Sequence, residues 1–258
     1  MFAGSKFSSQ FIYRKVDPMK RVAGFDTNAL RGYFLGILFV ISGLLLLNGC
    51  KKDDDSTTGP SMPASSQVMV AHASPDAPAV DLLVDNSVVG TNLSYPNNTG
   101  YLTVTAGAHN VKVRVTGTTT TVIDANITLG ANTTYSVFAA DSASRLTPVV
   151  LTDNLSAPAS GKAHVRFVHL SPNAPAVDVA LQGGAVLFAN KTFKQYTDFT
   201  PLDAGTYNLE VRLAGTNTVV LPLPNVTIQA GKIYTVFAKG FVGGTAAQAL
   251  GAHVIVNK

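Results

Sequence analysis

The chain has no tryptophan, one cysteine (Cys50) and one glutamate (Glu210) in 258 residues. With a single cysteine no internal disulfide can form, so any folded body rests on its core alone. Charged residues are only 13% of the chain, and the part beyond the leader holds its one glutamate and is rich in Thr, Val and Gly, which argues against helices. The basic balance is confined to the leader: residues 1–49 carry six Lys/Arg against two Asp, and from Cys50 onward 13 Lys/Arg meet 13 Asp/Glu. Once the leader is removed the formal charge is zero, which leaves no basic patch for phosphates and no case for nucleic acid as a partner. Long apolar runs are also scarce. The one at 33–47 is short for a bilayer span, which needs about 20 residues.

That run follows Lys20, Arg21 and Arg31 and gives way to small residues, the layout of a secretory signal peptide. Met19, followed by two basic residues, is a more typical start than Met1. The run ends in Leu47-Asn48-Gly49-Cys50, which resembles a bacterial lipobox and implies that Cys50 becomes a lipid-carrying N-terminus. Three acyl chains there exceed the two signals that stable anchoring takes. Lys51, Lys52, Asp53, Asp54 and Asp55 follow directly. They resemble the export tag that sends Bacteroidota-type lipoproteins to the outer face of the outer membrane. Residues 50–66 then read as a flexible polar tether of roughly 20–25 Å.

Beyond the tether the chain repeats itself. The segment from His72 to Asp81 returns 97 residues later from His169 to Asp178, changed only at Ala73 (Leu170) and Asp76 (Asn173). Gly107, Val113 and Gly117 recur as Gly205, Val211 and Gly215, and Tyr135-Ser136-Val137-Phe138-Ala139 recurs as Tyr234-Thr235-Val236-Phe237-Ala238. Duplication of a whole folding unit follows, with a first module at 67–156 and a second at 162–258. Val111-Lys112-Val113-Arg114-Val115 and Leu209-Glu210-Val211-Arg212-Leu213 alternate with period two, which places the aliphatics inside and the charges in water. About seven such strands per module, separated by turns such as Asp85-Asn86 and Gly130-Ala131-Asn132, predict an all-β chain of two tandem antiparallel β-sandwiches. Each module is expected to fold on its own core.

The paired His-x-Ser-Pro-x-Ala-Pro-Ala-Val-Asp motif, the Ala-Gly turns at Ala106 and Ala204, and the Tyr-x-Val-Phe-Ala strand resemble the family called domain of unknown function 4397. The resemblance covers residues 66–258. It implies immunoglobulin-like β domains in tandem on bacterial surface proteins and brings no activity with it.

Each motif copy holds the residue types of a hydrolytic triad: His72, Ser74 and Asp81, then His169, Ser171 and Asp178. The serines precede Pro75 and Pro172 and lack a Gly-flanked elbow, so hydrolysis is the least favoured reading. One His and one or two Asp fall short of a zinc site, and no cofactor is implied. The stronger reading is structural. Pro75 and Pro78, like Pro172 and Pro175, fix an extended crossing whose free backbone groups His and Asp would satisfy. The expected function is therefore a non-enzymatic cell-envelope lipoprotein, a binding, adhesion or spacer module held to the membrane by its N-terminal lipid. A surface glycan or a protein is the open ligand class. A glycan-binding accessory of a polysaccharide-uptake system is the alternative, with Tyr95, Tyr101, Tyr196 and Phe199 as the aromatic candidates.

Overall fold

The computed structural model describes residues 63–258; the signal peptide, Cys50 and the run at 51–55 lie outside the described residues. The first repeat contains β1 (Ser65–His72), β2 (Val80–Val84), β3 (Ser87–Leu93), β4 (Asn98–Thr105), β5 (Gly107–Val115), β6 (Thr121–Leu129), β7 (Thr134–Ala140) and β8 (Thr147–Asp153). The second contains β9 (Lys162–His169), β10 (Val177–Leu181), β11 (Val186–Lys191), β12 (Thr200–Asp203), β13 (Gly205–Leu213), β14 (Val219–Ile228), β15 (Ile233–Lys239) and β16 (Gly251–Val256). Each repeat is a sandwich of two four-stranded sheets, ordered β4-β1-β7-β8 over β3-β2-β5-β6 and β12-β9-β15-β16 over β11-β10-β13-β14. Pairing is antiparallel except at the centre of one sheet per repeat, where β1 runs parallel to β7 and β9 to β15. The Asp85-Asn86 turn joins β2 to β3 with both residues at positive φ, the left-handed geometry of a tight hairpin.

Alternation along the strands decides what each sheet touches. On β1, Val68 and Val70 face into the first sandwich, whereas Met69 and Ala71 face the other way. There they meet Phe138, Ala140, Leu151, Val168, Leu170, Phe237 and Ile255 in one buried cluster drawn from both repeats. The sheet carrying β1 and the sheet carrying β9 are thus covered on both faces, giving four layers with a core at each of the three gaps. At the middle gap Phe138 and Phe237, which occupy the same position in the two repeats, meet edge to face at 5.8 Å. The repeats belong to one compact unit and are not held by separate cores alone.

The duplicated sandwiches are filled differently. In the second, Phe167 and Phe188 stack at 6.4 Å and leave a cavity of about 30 Å³ between the sheets. The corresponding positions in the first are Val70 and Gly90, and the aliphatic gap there is about 70 Å³. One expectation needs correcting. Glu210 and Arg212 are 8% and 5% exposed rather than in water, because Arg212 pairs with Glu210 and donates to the Leu181 carbonyl at 3.1 Å. Partnered in this way, the two charges can leave solvent.

Candidate binding site

The repeated motif carries each chain crossing from one sheet of a sandwich to the other. His72 and His169 are 1% and 0% exposed, and their Nε2 atoms lie 3.0 and 3.1 Å from the carbonyls of Pro78 and Pro175. A carbonyl can only accept, so Nε2 carries the proton, and in both copies Nδ1 has no hydrogen-bond partner among the described residues. Burial lowers the pKa of both rings. Asp81 accepts the Asn92 N–H and the Thr116 hydroxyl, both at 2.8 Å, and the first of these is the main cause of its lowered pKa. Asp178 accepts from the N–H groups of Asn190 and Gly215 at 2.6 and 2.9 Å. Ser171 donates to the Gly240 carbonyl at 2.6 Å, and Ser74 points to Asp76 at 3.4 Å. Neither histidine bonds the serine or aspartate of its own copy, so the triad's residues are present without its geometry.

The junction between the repeats holds polar residues that no motif announces. Arg166 lies between the repeats and spends its guanidinium on Thr235 (2.8 Å), Asp153 (2.6 Å) and Ser136 (2.8 Å). Ser136 and Tyr101 both donate to the second oxygen of Asp153, at 2.6 and 2.5 Å. Thr235 donates to Asn257 at 2.7 Å, and Asn257 donates to the Tyr101 hydroxyl at 2.8 Å, which closes the ring. Burial, followed by the bond to Asp153, raises the Tyr101 pKa to about 12. The repeat symmetry is broken here, since Met69 stands where the second repeat has Arg166, and Asn257 stands where the first has Asp153. Period-two alternation hides Arg166, because a charge at every second position reads as a wet face. Aligning the two repeats and looking for compensating charge swaps would have found it.

At one edge of this junction a cleft of about 260 Å³ opens, with Thr152 and Asn154 on one side and His164, Tyr196, Asp198 and Phe199 on the other. An interrupted edge strand makes it. In the first repeat β4 pairs with β1 from Thr105 to Asn98, whereas β12 pairs with β9 only from Asp203 to Thr200, followed by an isolated bridge at Tyr196. Thr197 restores part of the missing ladder, its hydroxyl accepting the Phe167 N–H at 3.0 Å. Phe199, the counterpart of Tyr101, stays at the cleft with the Arg166 guanidinium 4.4 Å from its ring centre. Tyr196 is 47% exposed. Of the other aromatic candidates, Tyr101 is spent in the buried network. Tyr95 packs against His72 with Lys239 over its ring, and burial raises its pKa to about 12. Among the described residues no cluster of three or more metal-binding side chains occurs, and no helix is long and apolar enough to cross a membrane.

A family model described as "Domain of unknown function (DUF4397)" matches residues 66–180 and 179–258. No curated protein matches the chain. Among solved structures, the crystal structure of CBMbc (family CBM26) from Eubacterium rectale Amy13K in complex with maltoheptaose is similar at 11% identity with a TM-score of 0.26, over 73% of this chain and 96% of that one. A likeness that slight carries no argument about what this chain binds.

Proposed function

The chain belongs to the family described as Domain of unknown function (DUF4397), and from that premise we propose that it is a non-catalytic binding module of the cell envelope. One contrast carries this reading. The repeated His, Ser and Asp side chains are consumed in holding sheet crossings, whereas free polar side chains gather at a cleft to which both repeats contribute. Such a division suits recognition: a rigid double sandwich presents a site and performs no bond chemistry. In this reading Cys50 carries the lipid, and Lys51, Lys52, Asp53, Asp54 and Asp55 direct the protein to the outer face of the outer membrane. The tether ends before Ser65 rather than at residue 66, because Ser65 opens β1 and Ser66 is buried in it, its hydroxyl donating to the Gly130 carbonyl at 2.7 Å. The two sandwiches, the first beginning at Ser65 rather than at residue 67, then stand off the surface as the binding body. A role as the glycan-binding accessory of an uptake system is the more specific form of the proposal. It is favoured by the exposed Tyr196 beside unpaired polar groups.

Mass spectrometry of cell membranes tests the anchor, the expected result being a chain that begins at acylated Cys50. Recovery of an unmodified Cys50 within a longer chain would remove the lipoprotein reading. Protease shaving of intact cells tests the address. Digestion of the wild type, with protection when Asp53, Asp54 and Asp55 become alanine, is the expected pattern; equal digestion of both would remove the tag.

A further inference from the structure

The geometry points to a specific occupant for the junction cleft: a neutral pyranose unit of an oligosaccharide, laid against Tyr196 and hydrogen-bonded by Asp198, Asn154, Thr152 and His164. The inference rests on the reading above that the protein is a binding module, and it adds the ligand's chemistry.

The duplication supplies an internal control. Both repeats place a threonine, Thr99 or Thr197, where its hydroxyl accepts a backbone N–H of the neighbouring strand at 3.0 Å, so both edge strands leave the ladder at the same point. The first repeat turns back at once through Gly100, at φ 68°, and sends the next residue, Tyr101, into the buried network. The second repeat has Asp198 in place of that glycine, remains off the ladder to Thr200, and leaves Phe199 and Tyr196 at the surface. The cleft is thus a local departure of one copy from the other, made by the residues that line it.

Its chemistry is that of a sugar's two kinds of surface. A pyranose offers apolar C–H faces to an aromatic ring and a belt of hydroxyls that donate and accept at its rim. Tyr196 supplies an exposed ring. Among the described residues, the side chains of Thr152, His164, Tyr196 and Asp198 make no internal hydrogen bond, and Asn154 uses only its carbonyl oxygen, toward Ser156. Donors and acceptors are therefore both available at the wall. The charge pattern excludes acidic ligands. Arg166 is neutralised by Asp153, which leaves the Asp198 carboxylate as the uncompensated charge among the described lining residues. A cleft of about 260 Å³ suits one ring better than a folded partner, since pockets for drug-sized ligands start at about 300 Å³. Arg166 acts as a positioning residue: it is itself fixed by three hydrogen bonds, and it holds the Phe199 ring that borders the site.

Native gels of the full-length protein in a non-glycosidic detergent, cast with starch, xylan, galactomannan, mixed-linkage β-glucan or heparin, test the assignment. Retardation by at least one neutral polysaccharide and not by heparin is expected. Tyr196→Ala and Asp198→Ala should each weaken that retardation by at least about tenfold with an unchanged melting temperature, and Val254→Ala, exposed on β16 at the opposite edge of the sheet from β12, should behave as wild type. No retardation by any neutral gel, retardation by heparin alone, or a Tyr196→Ala protein that binds as wild type would each overturn it. Failure of the envelope reading shows elsewhere, in the acylation state of Cys50 and the shaving pattern. The two can therefore fail independently.

Discussion

The guanidinium of Arg166 and the carboxylate of Asp153 meet at 2.6 Å with their side chains 2% and 0% exposed, one from each repeat. Removing either partner strands the other charge in the middle gap of the four layers. Arg166→Met or Asp153→Asn alone should cost about 3–5 kcal/mol. For a cooperative body of this size that lowers the melting temperature by roughly 2–4 °C per kcal/mol. Each substitution installs the residue that the other repeat carries. The double variant should therefore recover much of the loss, and thermal melts of the two singles and the double close the cycle. Additive losses would mean that the pair is not coupled.

The shared core changes what is expected of the repeats in isolation. Residues 63–156 alone would expose Met69, Phe138 and Leu151, and residues 162–258 alone would expose Val168, Phe237 and Ile255 together with an unpaired Arg166. Circular dichroism of either half should show a broad, low melt, and mixing the two should restore a single sharp one. Two halves that each melt as cooperatively as the whole would show the junction to be dispensable.

Asp178→Ala removes the acceptor of two backbone N–H groups at a site 5% exposed. Leaving such donors unsatisfied costs about 1–3 kcal/mol. With a common core the loss should shift one transition of the whole body rather than that of one module. Asp81→Ala should act in the same direction. A calorimetric trace with two peaks, only one of them displaced, would contradict this coupling.

Acid should loosen the motif. Burial holds His72 and His169 below the ordinary histidine value of about 6.5. On acidification the unfolded chain therefore takes up protons that the folded one refuses. Their contribution is complete above about 6.5 and is lost as pH falls from there toward their lowered folded values. His109 has the opposite sign, since its bond to Asp85 raises its pKa, and its contribution fades as pH rises. The double variant His72→Gln/His169→Gln keeps His109. Its melting temperature should fall less steeply than that of the wild type between pH ~7.5 and ~5.5. Parallel slopes would mean that the two histidines titrate alike in both states.

Sheet content and the duplication were legible in the sequence because alternation and offset are one-dimensional signals, readable from Val111 to Val115 or from His72 and His169 alone. The parallel β1–β7 and β9–β15 pairs were not, since strand alternation carries no direction. Arg166 was hidden for a different reason: burial of a charge depends on a partner 13 residues away in sequence and one layer away in space. The cleft was half legible. Tyr196 and Phe199 stood out as loop aromatics in a chain without tryptophan, but their union with Thr152 and Asn154 depends on how the repeats meet.

Strand β1 is flanked by β4 on one side and β7 on the other, and its sheet is covered on both faces. It is the first strand of the described residues and begins at Ser65. A pull exerted there along the strand axis loads both ladders in shear, so their rungs share the force and must part together rather than open one at a time. Resistance to such loading is set by the unfolding barrier rather than by equilibrium stability. A body held at this end against flow would transmit drag to its mooring without unravelling from the point of attachment.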